Sequence, residues 1–177
     1  MQRRWKVLGI DFGLICLVAV SQAHAAEVQV YTDREIRPVL LKQLNRAEHT
    51  IDVEMYSLTD DEVVTALERA EQRGVQVRLI LDPGQAGNQR HADRFTRAGA
   101  ELKWFPVTKP ALMHRKLAIV DGQTLLAGSV NWTANGLTRN EELLFVIEDR
   151  PLAQRLTQVF AEDWYRSWLG HYPSYRD

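Results

Sequence analysis

A histidine two residues from a lysine, at the head of a strand-forming run, is a pattern suited to phosphate chemistry. The stretch reads His114-Arg115-Lys116-Leu117-Ala118-Ile119-Val120-Asp121. Side chains two apart on a strand share a face, so His114 and Lys116 are expected to project together, about 6.6 Å apart along the backbone. An ammonium neutralises a non-bridging phosphate oxygen. An imidazole beside it attacks phosphorus or moves a proton. Further along stands Gly128-Ser129-Val130-Asn131. Gly128 would let backbone approach an anion closely, and the Ser129 and Asn131 side chains supply neutral donors. Asp121 breaks the parity of His114 and Lys116 and falls in Asp121-Gly122, a hairpin-turn signal. It is assigned a supporting hydrogen bond.

The elements that must hold these residues alternate between strand and helix. Val28 to Tyr31, Ile51 to Tyr56, Val75 to Leu81, Glu101 to Phe105 and Leu143 to Ile147 read as strands. Leu112 to Val120 and Thr124 to Ala127 pair as a hairpin, which puts His114 inside a strand. Helices are expected over Glu35 to Ala47, from Asp60 to the stop at Gly74, over Asn88 to Ala98, and over Leu152 to Trp168 behind Pro151. Thr59 and Glu62 have capping-box spacing for the second helix. This order predicts an α/β fold, a mixed β-sheet sandwiched between helices in a single domain.

The chain has 177 residues, 45% of them apolar and 25% charged, with a formal net charge of −1. Such a composition excludes a disordered chain and a multi-span membrane protein, and leaves polyanion binding to a local patch. Lys103, Lys109, Arg115 and Arg139 are candidates for such a cationic rim. Residues 1–25 read as a cleaved signal peptide: Arg3, Arg4 and Lys6, then an apolar run broken by Asp11, then Ala23-His24-Ala25. The expected product, residues 26–177, is exported to the periplasm or secreted, has no stable membrane span and loses Cys16, the only cysteine. His49, His91 and His171 lack partners at ligand spacing, so no metal or cofactor is expected. Trp164, Tyr165, Trp168, Tyr172 and Tyr175 form an aromatic tail suited to core packing or a subunit contact, or secondarily to base stacking or a lipid interface.

The string His114-x-Lys116-x4-Asp121-x6-Gly128-Ser129-x-Asn131 resembles the HKD motif of the phospholipase D superfamily. Ile51 to Tyr56 and Arg73-Gly74-Val75-x-Val77-Arg78 through Asp82 are similar to that superfamily's N-terminal half. The likeness is greatest to its small, exported, single-motif bacterial endonucleases, which are homodimers. It implies that His114 is the nucleophile, that His114 of a second copy protonates the leaving group, and that Lys116, Ser129 and Asn131 hold phosphate oxygens. It implies further that Glu142, or the adjacent Glu141, orients the imidazole. The active site would then lie on the two-fold axis of a homodimer, with no metal. The substrate implied is DNA or RNA, with a phosphatidyl headgroup ester as the alternative. A non-catalytic nucleic-acid-binding module is the reading of another class.

Overall fold

The computed structural model describes residues 25–169. The signal-peptide reading, Tyr172 and Tyr175 lie outside them. A seven-stranded mixed sheet runs in the order β1-β7-β6-β5-β2-β3-β4. β1 is Glu27–Thr32, followed by a 3-10 turn at Asp33–Glu35 and helix α1, Ile36–Arg46. β2 (Thr50–Met55), α2 (Asp61–Gln72), β3 (Gln76–Leu81), α3 (Ala86–Ala98) and β4 (Glu101–Trp104) form two consecutive β-α-β units with parallel strands. β5 (Lys116–Val120) then returns beside β2, antiparallel, and continues through β6 (Thr124–Gly128), short helix α4 (Ala134–Thr138), β7 (Leu143–Glu148) and α5 (Arg150–Arg166). β1 closes the far edge against β7.

The sheet separates two layers. On one side Ile36, Leu40 and Leu44 of α1, Val63, Val64, Leu67 and Ala70 of α2, and Phe95 of α3 bury a large core against Val53, Leu79, Ala118 and Val146. The apolar stripes expected of these helices are the faces that are buried. On the other side α5 alone packs Ala153 and Phe160 over Ile80, Leu117, Ile119 and Leu125. β2 presents Asp52 and Glu54 to this second layer, both almost wholly buried. Arg78 grips Asp52 with two bonds of 2.7 Å, and Arg115 grips Glu54 and, from α5, Asp163. Burial pushes the Asp52 and Glu54 carboxyls up, against the pull of their arginines. Among the described residues no helix is long and apolar enough to cross a membrane.

Several local expectations are corrected. The N-cap of α2 is Asp60, not Thr59, because Asp60 Oδ1 accepts the N–H groups of Glu62 and Val63 at 3.2 Å. α3 starts two residues early, at Ala86, and α5 ends at Arg166, since Trp168 instead bridges β4 at Trp104. α4, opened by the Thr133 hydroxyl accepting from Gly136 N–H, went unforeseen because one helical turn carries no periodicity. The largest correction concerns β5. It begins at Lys116, so His114 precedes the strand.

Candidate active site

The site forms at the end of the sheet where β2, β3 and β6 finish and β5 and β7 begin. His114 is exposed there, on the segment that leads into β5. Its ring packs on Tyr56, the residue after β2, with centroids 4.7 Å apart at a tilt of 56°. Lys116 Nζ lies 5.0 Å from the centroid of the same tyrosine ring and donates to the His114 carbonyl at 2.8 Å. Imidazole and ammonium therefore meet on Tyr56, although only Lys116 is on the strand. Tyr56 was not singled out from sequence. Its position at the C-terminal end of a buried parallel strand, where ligands of open α/β sheets collect, was the signal available. Burial lowers the Lys116 ammonium below the ordinary lysine range, and the Glu142 charge pulls it back up in part.

The end of β6 and the start of β7 bring Ser129, Asn131 and Glu142 to the same end. The Ser129 hydroxyl donates to Glu142 Oε2 and accepts from Leu143 N–H at 3.1 Å. Asn140 Nδ2 donates to Glu142 Oε1 at 3.2 Å. Among the described residues no bond joins Glu142 to His114 of the same chain, so its link to the site is through the field at Lys116. Asn131 Oδ1 is buried without a hydrogen-bond partner among the described residues. The peptide following it is fixed, because the Trp132 carbonyl accepts from Thr59 and Asp60 N–H at 2.8 and 2.9 Å. Gly128 does not clear space for an anion: a Cβ there would lie 2.1 Å from the Leu143 carbonyl oxygen, so its bareness admits β7. A shallow cleft borders this group, lined by Thr32, Asp33, Ser129, Glu141, Glu142 and Leu143.

Asp121 stands at the opposite end of β5 from Lys116, at φ 52°. Its carboxyl accepts from His49, Thr50 and Glu48 N–H at 2.8, 2.9 and 3.0 Å. It is a structural clasp on the entry to β2, remote from His114. Burial alone would raise it, but the three backbone donors outweigh that and hold it below the usual carboxylate range. The cationic rim also thins. Arg115 points into the α5 layer, and Lys103 Nζ donates to the Trp164 carbonyl at 2.9 Å, over that indole ring. Of the aromatic tail, Trp164 stacks on Phe160 with centroids 5.7 Å apart, and Tyr165 is 89% exposed.

A family profile described as "Cardiolipin synthase, PLD-like domain" matches residues 40–164. A mitochondrial cardiolipin hydrolase of Chlamydomonas reinhardtii is 35% identical over 125 residues, covering 70% of this chain and 55% of that protein. A phospholipase D of Rickettsia prowazekii is 31% identical over 126 residues, covering 71% and 59%. The chain thus spans little more than half the length of these relatives. Among solved structures, the phospholipase D family member Nuc from Salmonella typhimurium superposes with a TM-score of 0.73 at 25% identity, over 81% of this chain and 97% of that one. NucT from Helicobacter pylori gives the same score at 17% identity, over 81% and 98%.

Proposed function

Because this chain belongs to the phospholipase D superfamily, we propose that it is a phosphodiesterase working through a phosphohistidine at His114. The observation that carries this reading is the convergence of an exposed imidazole and the Lys116 ammonium on one tyrosine ring. Lys116 holds a non-bridging oxygen and offsets the charge gathering on phosphorus. A neutral ring nitrogen of His114 bonds to phosphorus while the ester P–O bond breaks. The leaving oxygen takes a proton from a second, protonated imidazole. Water then attacks the phosphohistidine, gives its proton to that second imidazole, and releases His114.

One chain offers a single HKD string, so the second imidazole is His114 of another copy, across a two-fold axis. An uncovered apolar strip supports this. Val28 and Val30 are each about half exposed and Leu143 is 43% exposed. β-register sets the two valines opposite Ile147 and Phe145 on the α5 side of the sheet, beyond the reach of α5. Leu143 also borders the site cleft.

The substrate we propose is DNA or RNA, on the resemblance to the superfamily's small single-motif endonucleases and the fold shared with Nuc along nearly its whole length. The phosphatidyl-ester reading is favoured by the names of the sequence relatives, cardiolipin hydrolase and phospholipase D. The location we propose is outside the cytoplasm, periplasmic or secreted, on the reading of residues 1–25 as a cleaved signal peptide. Purified protein, incubated in chelator with single-stranded DNA, duplex DNA, RNA, and vesicles of phosphatidylcholine or cardiolipin, separates the readings. Cleavage of a nucleic acid is the expected result, lipid cleavage alone selects the second reading, and inertness toward all of them overturns both. His114→Asn is expected to lower the active rate about a thousandfold or more while leaving the fold intact, since the ring is exposed.

A further inference from the structure

His114 stands before β5, so no strand ladder fixes it, yet its placement decides whether it meets phosphorus. Its neighbours in sequence are held instead. Met113 is 3% exposed, and its N–H donates to Asp82 Oδ2 at 2.8 Å. The Arg115 carbonyl accepts from Tyr56 N–H at 3.0 Å. Asp82 follows β3 directly and is fully buried. Its other oxygen accepts from Gly84 N–H at 2.8 Å, which shapes the turn leaving β3. Asn88, on the first turn of α3 and likewise fully buried, completes the arrangement. Its Nδ2 donates to the Tyr56 carbonyl at 2.9 Å and to the Asp82 carbonyl at 3.1 Å, and its Oδ1 accepts from Leu58 N–H at 2.9 Å.

One bond of this pair ends on Met113, next to His114, and one on Tyr56, the ring it packs against, while those to Gly84, Leu58 and the Asp82 carbonyl hold the turn that joins the two side chains. Asp82 fixes the N–H of Met113, the residue before the histidine. Asn88 fixes Tyr56, whose ring sets the imidazole's height and tilt. We propose that Asp82 and Asn88, neither part of the HKD string, are the positioning residues of His114. A merely structural pair would contribute stability and leave the ring's position to side-chain rotation. A positioning pair ties the two together, because a displacement of about 1 Å at a reacting atom costs on the order of a hundredfold in rate.

The proposal rests on the phosphodiesterase reading for its kinetic arm only. Asp82→Asn keeps the size of the side chain but leaves it a single carbonyl oxygen for two N–H donors, Gly84 and Met113. In folded Asp82→Asn, kcat is expected to fall roughly ten- to a hundredfold with KM little changed. The His114 ring resonances, assigned by their loss in His114→Asn, should move from the upfield position that the Tyr56 ring imposes toward that of a free histidine. A folded variant with unchanged ring resonances and unchanged kcat would overturn the proposal. Side-chain relaxation of His114 in the wild-type protein needs no variant at all. An ordered, Tyr56-shielded ring is expected, and a freely rotating, unshielded one sinks the idea even where Asp82→Asn does not fold. Both spectroscopic arms stand whether or not any phosphodiester is cleaved.

Discussion

Lys116 is held between two opposing influences. Partial burial beside Tyr56 favours the neutral amine, and Glu142 favours the ammonium. In its proposed role Lys116 binds phosphate as the ammonium, so activity is expected to show an alkaline limb set by Lys116, at lower pH than a solvated lysine would give. Glu142→Gln keeps the acceptor for Ser129 and removes the charge. The Lys116 pKa then falls further, and the alkaline limb of kcat/KM moves to lower pH. A limb that stays in place, or moves up, would show that Glu142 does not act through Lys116. Gly128 responds by shape instead of charge. A methyl group added 2.1 Å from the Leu143 carbonyl forces β6 and β7 apart where Ser129 and Glu142 are paired. Gly128→Ala should cost roughly 3 kcal/mol of stability, measured by urea unfolding.

At the level of elements, the hairpin β5-β6 is oriented by a clasp at each end. At the turn, the Asp121 carboxyl takes three N–H groups of the 48–50 segment, and at φ 52° the position suits Asp or Asn but strains most other residues. Asp121→Asn therefore tests the carboxylate without backbone strain. Because folding lowers this pKa, its contribution is present above the unfolded value and disappears as pH falls through the folded one. The variant should lose about 1 kcal/mol near neutrality, and the gap from wild type should close as pH drops below about 4. Denaturation midpoints at several pH values check this, and a gap independent of pH would contradict it. The sequence displayed the alternation of β-strands and helices and the HKD string because both are local patterns. It hid the role of Asp121, since a turn signal at Asp121-Gly122 says nothing about partners some seventy residues away. Asp52 and Glu54 were hidden likewise, because their arginines lie 26 and 61 residues away, on β3 and ahead of β5. Expecting His114 within the strand was natural from alternation, but Met113 spends its N–H on Asp82 and not on a ladder.

In the whole molecule the two faces of the sheet are covered unequally. Helices α1 to α4 close one side, while α5 covers the other over β2, β3, β5 and β6 and stops short of β1. The remainder leaves Val28, Val30 and Leu143 in water, on a strip that ends at the cleft beside Ser129 and Glu142. Apolar area of this kind favours association, and a two-fold arrangement on it would bring the His114 end of each chain toward the other. On the proposed mechanism, chains do not work singly. When wild-type protein is equilibrated with an equal amount of His114→Asn, half of the dimers are mixed and carry one imidazole at a site that needs two. Activity per total protein should then fall to about a quarter of that of pure wild type, following the square of the wild-type fraction expected for random two-fold pairing. Independent chains would retain half. Val30→Asp, which sets a charge on the strip without touching the cleft, should shift the sedimentation coefficient to that of a monomer and remove turnover together with it. A monomeric variant that keeps full activity would mean that the second imidazole is not used.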